Sequence, residues 1–196
     1  MKNKILAGRG RVHVYTGNGK GKTTAALGLA LRAIGHNLSV CMVQFLKGGS
    51  YFGEVITAKK LQNFNIVQFG EDCPWTKDVE KSIFRCGGCR YCFSIHGDDK
   101  KRALDALKFS EEIVKSNKYD VVILDEINMA VSKKLIDVKS VLNLIKNKNP
   151  DVELILTGRN APKRVITAAD LVTEMIDVKH PIKVSNTLVG RIGIDY

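Results

Sequence analysis

The stretch VYTGNGKGKTTAALGLA, Val14 to Ala30, decides how this chain of 196 residues folds. A β-type run, RVHVYT at 11–16, enters three glycines separated by single residues. A helical pattern then runs from about Lys22 to Ile34 and stops at Gly35, an ordinary helix-stop residue. Strand, glycine-rich turn and helix form the context in which Gly-Lys-Thr binds phosphate. Glycines let successive backbone N–H groups converge on phosphate oxygens, and the helix N-terminus adds a favourable dipole. The candidate phosphate-binding set is therefore Gly17, Asn18, Gly19, Lys20, Gly21, Lys22, Thr23 and Thr24. Lys22 serves as a point charge on the phosphates, and the Thr23 hydroxyl as a ligand of Mg²⁺. The loop is nevertheless one residue short. The usual spacing puts the opening glycine five positions before the glycine of Gly-Lys-Thr. Five before Gly21 stands Thr16, and the opening glycine is Gly17.

The second half of such a site is YDVVILDE, 119–126, a buried strand ending in two carboxylates. An acid at the carboxyl end of a neighbouring strand reaches the metal or its waters, and Asp125 and Glu126 both qualify as the inner ligand. Further strands are expected at 39–45, 65–70, 152–158 and 171–178, with helices at about 54–61, 99–117 and 135–146. These strands are near-continuous apolar runs, as expected when helices cover both faces of a parallel sheet. The expected fold is a doubly wound, mostly parallel α/β P-loop domain of the RecA-like kind, a single domain over 1–196. Residues 70–97 are too long for an ordinary connection and read as a functional or metal-stapled insertion.

Bulk composition narrows the classes. Hydrophobic content is 44% and charged content 26%, and no apolar run approaches the roughly 18 residues of a membrane span. The first residues carry two lysines without a long apolar core behind them, so the expectation is a cytoplasmic protein with no membrane partner. A net charge of +11 attracts polyanions, nucleic acid or nucleoside triphosphate. The lysines are scattered along helices with few aromatics among them, which describes a solvated surface and no nucleic-acid partner. Cys41 stands alone in an apolar run, whereas Cys73, Cys86, Cys89 and Cys92 are grouped. In a cytosolic chain such a group suggests metal before disulfide. Four thiolates suit a structural Zn²⁺. They equally suit a [4Fe–4S] cluster, and Cys73-Pro74 echoes the ferredoxin pattern in altered order. Paired Cys-x2-Cys knuckles would favour zinc, but a second pair is missing, which tilts the choice towards the cluster. Free thiols are the third alternative.

VHVYTGNGKGKTTAALGLALRAIGH, VQFLKG, the Gly53-Glu54 pair, LDEINMAV, TGRNAP, AADLVTEMIDVKHP and GIDY follow one another from Gly10 to Tyr196. In this order they resemble the P-loop type ATP:corrinoid adenosyltransferases. The resemblance implies transfer of the 5′-deoxyadenosyl group of ATP to Co(I) of a corrinoid or cobalamin, with the whole triphosphate leaving. It implies ATP bound in reverse of the usual P-loop orientation, with attack at C5′ of the ribose. A tighter loop cannot wrap the phosphate chain as a full one does, so a different phosphate should occupy it. Lys22, Mg²⁺ and the loop amides would then stabilise charge on the leaving triphosphate. The resemblance further implies that Trp75 fills the space below the corrin ring. This displaces the lower ligand of Co(II) so that an electron donor such as a flavoprotein can reduce it. The family's companion phenylalanine is replaced here by Cys73. Asn18 and Lys20 would touch phosphates and Arg159 phosphate or ribose. Gln44, Lys47 and Glu54 would flank the corrinoid, and His180 is a further candidate. A homodimer is implied too, and the lid that many members carry before the first strand is expected to be small or absent. Two alternatives are a nucleoside kinase with a structural zinc and a basic NTP-dependent nucleic-acid-binding module.

Overall fold

The computed structural model describes residues 9–49, 51–81, 91, 94–180 and 191–195. Six strands, β1 (Val12–Thr16), β2 (Val40–Phe45), β3 (Phe64–Phe69), β4 (Val121–Asp125), β5 (Glu153–Thr157) and β6 (Leu171–Glu174), form one sheet in the order β3-β2-β4-β5-β1-β6. Every pairing is parallel, so the expected mostly parallel sheet is wholly so among the described residues. One strand, β5, separates the phosphate-loop strand β1 from the acidic strand β4.

Helices cover both faces because successive strand residues point to opposite sides. On one face Val40, Met42, Val121, Ile123 and Ile155 pack under α1 (Lys22–Gly35) and α2 (Gly53–Ala58). Ala26, Ala30 and Ala33 are the buried stripe of α1, and their small side chains let the helix lie close to the sheet. On the other face Val43, Phe45, Val122, Leu124, Leu154 and Leu156 meet the remaining helices. These include α4 (Asp99–Lys115), α5 (Ile127–Ser132), α6 (Val138–Lys146) and α7 (Lys163–Ala168).

The structure departs from the sequence expectations in places. The helix expected from Leu135 begins at Val138, where the Asp137 side chain accepts the Lys139 N–H at 2.9 Å. Leu135 and Ile136 are buried ahead of it, and this burial is what extended the apolar pattern backwards. The strand expected over 171–178 ends at Glu174, and all four residues of β6 are exposed because it is the edge. Short helices α5, α7 and α3 (Thr76–Glu80) have five or six residues, too few for a clear 3.6-residue period. Among the described residues no helix is long and apolar enough to cross a membrane.

Candidate active site

The carboxyl ends of the strands carry a connected polar network. Asp125, the last residue of β4, is fully buried. Its Oδ1 accepts the hydroxyls of Thr23 at 2.8 Å and Thr157 at 2.7 Å, and its Oδ2 accepts Lys47 Nζ at 2.6 Å. Lys47 Nζ also donates to Thr23 Oγ1 at 3.3 Å. Thus the first turn of α1, the end of β4 and the segment after β2 meet at three side chains. The register places Gln68, Gln44 and Asp125 side by side on β3, β2 and β4. Gln68 Nε2 donates to Gln44 Oε1 at 3.0 Å, and Gln44 Nε2 donates to Glu54 Oε1 at 3.1 Å. Gln44 is fully buried, so this relay fixes its amide and aims it at Glu54.

Charges in the network sort themselves by environment. Burial pushes the Asp125 carboxyl upward, but the Lys47 ammonium and the two hydroxyls outweigh it and hold Asp125 below its ordinary value. Burial likewise works against the Lys47 ammonium, and Asp125 overrides it to raise Lys47. The neighbouring Glu126 is raised, first by burial and then by the charge of Asp125. Two adjacent carboxyls are thereby driven apart, Asp125 towards the ionised form and Glu126 towards the protonated one. Glu126 also has a left-handed backbone (φ 63°), an uncommon conformation for a residue with a side chain; it re-aims the chain from β4 into α5.

The phosphate loop is braced from the side. Lys22 is buried and donates to the carbonyls of Gly17 at 2.9 Å and Gly19 at 2.6 Å. Burial lowers its pKa. Gly17 (φ 93°) could not carry a side chain, since a Cβ would fall 2.4 Å from the Met175 carbonyl oxygen. The Gly19 N–H donates to that same oxygen at 2.7 Å. A loop already one residue short therefore has one amide turned to the continuation of β6. Lys20 donates to Asp195, which also accepts from the Arg191 N–H and Nε–H. The Lys20 contact, foremost, holds the Asp195 carboxyl down at about 2. Lys20, expected on phosphate, is thus clasped to the C-terminal segment.

The other expected residues are distributed as follows. Asn18 and Thr24 are exposed on the loop and on the first turn of α1. Arg159, exposed beyond β5, is close enough for its charge to work against the Lys22 ammonium and, in small part, against the upward shift of Glu126. His180 is half-buried in the segment after β6. Trp75 stands before α3 and is 43% exposed; its carbonyl accepts the Val79 N–H at 2.9 Å. Cys73 is buried, packs with Tyr51 and Val79, and is bonded to no other described cysteine. Cys86, Cys89 and Cys92 lie outside the described residues. Among the described residues, no three His, Cys, Asp or Glu side chains group as a metal cage. Cys41 is a core residue whose thiol is pushed by burial up to about 11. A cleft beside Lys47, lined by Leu46, Phe52, Glu71, Tyr91 and Ile95, was not foreseen. Gln68 and Thr157 were missed as well, although each is a polar residue at the carboxyl end of an otherwise apolar strand, a signal within reach of the sequence.

Comparison with known proteins gives the family. The family described as ATP:corrinoid adenosyltransferase BtuR/CobO/CobP matches residues 8–196. A corrinoid adenosyltransferase of Sinorhizobium sp. is 34% identical over 200 residues, covering 100% of this chain and 86% of the relative. Those of Escherichia coli K12 and Salmonella typhimurium are 30% and 31% identical, each covering 96% of this chain and 86% of the relative. These matches favour neither the nucleoside kinase nor the nucleic-acid-binding module. A phosphate loop, an acidic strand end and a family pattern matched along nearly the whole length lead to one conclusion: the chain belongs to the ATP:corrinoid adenosyltransferases.

Proposed function

We propose that this protein transfers the 5′-deoxyadenosyl group of ATP to Co(I) of a corrinoid and releases triphosphate. The observation that carries the reaction is the family match over residues 8–196. The lone pair of Co(I) forms the bond to C5′ while the C5′–O bond breaks, and its electrons leave with the triphosphate. No protein nucleophile is needed; the chain's task is to place ATP and to stabilise the leaving charge. Lys22 lies under the loop for that purpose, and Arg159 is the exposed cation beyond β5. The short loop, with the Gly19 amide turned to Met175, supports the reversed ATP orientation, because its nest differs from that of a γ-phosphoryl transferase.

Mg²⁺ suits the residues present. Thr23 and Asp125 offer a hydroxyl and a carboxylate 2.8 Å apart, hard oxygen donors of the kind that bind Mg²⁺ together with substrate phosphates. Asp125 is the inner carboxylate of this reading, since Thr23 bonds to it and not to Glu126. When bound, the ion would neutralise triphosphate charge. Gln44, Lys47 and Glu54 line the way from the nucleotide to the corrinoid, with Trp75 below the ring and an electron donor such as a flavoprotein supplying the reduction. His180 belongs to the rim of the site. A homodimer, a single domain with an inserted loop at about 70–97, and a zinc ion or [4Fe–4S] cluster on Cys73, Cys86, Cys89 and Cys92 complete the proposal. The buried Cys73 thiol supports a role inside that loop.

Incubation with ATP, Mg²⁺ and chemically reduced corrinoid tests the reaction. The expected result is the absorbance change of a cobalt–carbon bond with one triphosphate released per corrinoid. Formation of ADP instead would overturn it. Anaerobic purification with a metal count separates the cysteine alternatives: colour with iron and sulfide for the cluster, a colourless protein with one zinc for the other.

A further inference from the structure

Lys47 stands where a metal cation is wanted. Its ammonium lies 2.6 Å from Asp125 Oδ2 and 3.3 Å from Thr23 Oγ1, touching the two side chains assigned above to Mg²⁺. The main chain that carries it is clamped. Leu46 has a left-handed backbone (φ 59°), and Gly70 N–H donates to the Lys47 carbonyl at 2.9 Å. A Cβ on Gly70 would fall 2.2 Å from the Lys47 carbonyl carbon, and one on Gly48 would fall 2.3 Å from the Glu71 oxygen. The side chain is freer, 24% exposed and built on a flexible four-carbon stem. The ammonium can therefore leave Asp125 while the backbone stays in place. Glu54 and Glu126 act on the same ammonium, so it moves within a field of carboxylates.

We propose that Lys47 is an exchangeable counter-cation of the metal site. It neutralises Asp125 until a metal–nucleotide complex arrives, then yields Asp125 and Thr23 to the metal. This rests on the assignment of Thr23 and Asp125 to Mg²⁺. A bare divalent ion must break the Lys47–Asp125 pair and then sit beside the displaced ammonium, two cations in a poorly screened place. A metal bound to triphosphate brings the negative charge that receives the ammonium. The site thus discriminates against free metal and loads metal and nucleotide together.

Mn²⁺, visible by electron paramagnetic resonance, serves as the probe, titrated without nucleotide and then with ATP in the absence of corrinoid. Free Mn²⁺ should bind the wild-type protein weakly. Lys47→Met and Lys47→Gln should bind it at least about tenfold more tightly, and ATP should erase that advantage. Lys47→Arg, which keeps the charge, should bind free Mn²⁺ as weakly as the wild type. Lys47→Gln retains a donor for Asp125 should Lys47→Met fail to fold. Variants lacking the charge that bind free Mn²⁺ no more tightly than the wild type would overturn the proposal. Asp125→Asn separates the two assignments. If it leaves Mn²⁺·ATP binding unchanged, the metal site itself is misplaced. If it weakens that binding while the uncharged Lys47 variants match the wild type, the exchange alone is wrong.

Discussion

Two clusters of lysine and carboxylate stand at opposite ends of the same sheet, and they differ in what they bond to. At the amino end Glu153 accepts the Arg11 N–H at 2.7 Å and pairs with His13 Nε2 at 2.5 Å, and Asp170 accepts the Val12 N–H at 2.8 Å. Lys148 Nζ donates to the carbonyls of Gly10, Asn149 and Val152 at 2.7–3.1 Å. Glu153, Asp170 and Lys148 each bond to backbone at or just before the start of a strand. At the carboxyl end the partners of Asp125 are three side chains, Thr23, Thr157 and Lys47. Side-chain partners can be exchanged without opening the sheet; backbone partners cannot. Burial and charge are therefore shared by both clusters, and the kind of partner separates the proposed active site from the cluster that holds strand ends.

The largest expected effect lies at the carboxyl end. Asp125→Asn should lower the adenosylation rate by about 10²–10³-fold, the scale of losing a group that stabilises developing charge. It should also destabilise the fold by about 3 kcal/mol, because the Lys47 ammonium loses its partner. The cobalt–carbon absorbance and a thermal melt read the two effects, and near-wild-type turnover would break the comparison.

Next comes Gly17→Ala. The added Cβ meets the Met175 oxygen and the backbone is held at φ 93°, so strain of about 1–3 kcal/mol is expected together with weaker ATP binding. A urea midpoint and an ATP titration measure both, and wild-type values for both would show that the brace from β6 does not shape the loop.

At the amino end Glu153→Gln should cost stability, about 1–2 kcal/mol, and leave turnover unchanged. Burial raises the Glu153 carboxyl, but the His13 and Arg11 hydrogen bonds prevail and lower it. A carboxyl lowered on folding contributes fully above its ordinary range and loses that contribution as pH falls through the depressed folded value. The variant's deficit in urea should accordingly shrink in acid. Lost turnover with unchanged stability would reverse the roles of the two clusters.

The smallest effect belongs to the C-terminal clasp. Asp195, lowered from 3.8 to about 2, keeps Lys20 and Arg191 charged partners until strongly acid pH. The clasp's contribution is present above 3.8 and declines as pH falls towards about 2. Protection from hydrogen exchange at 191–195, taken relative to the intrinsic rate at each pH, should fall across that window, and Asp195→Asn should show the loosened state at neutral pH. Equal exchange in the variant and the wild type would remove the clasp from the site.

What was legible in the sequence was local. The phosphate loop with its missing residue, the strand ending in Asp125-Glu126 and the α/β alternation are contiguous patterns, each dictated by neighbours along the chain. The residues that were hidden act across strands. Gln68 matters because register sets it beside Gln44, and Thr157 because β5 is threaded between β1 and β4. Lys47, expected beside the corrinoid, carries its ammonium on Asp125, and the main chain behind it is clamped where 46–48 meets 70–71.

By itself the sequence determined the fold class, the family and the chemical kit: glycines for a phosphate loop, a lysine and a threonine after them, and two acids at a strand end. The fold class and the kit follow from short-range backbone preferences and hydrophobic period, which need no knowledge of distant contacts, and the family from the resemblance of its motifs in their order along the chain. Tertiary structure decided the partners. It set Asp125 against Lys47 and left Glu126 beside it with a raised pKa, turned the Gly19 amide to Met175, and drew Lys20 to Asp195. Charge and hydrogen bonding depend on distance in space, and packing six strands in the order β3-β2-β4-β5-β1-β6 brings together residues more than a hundred positions apart.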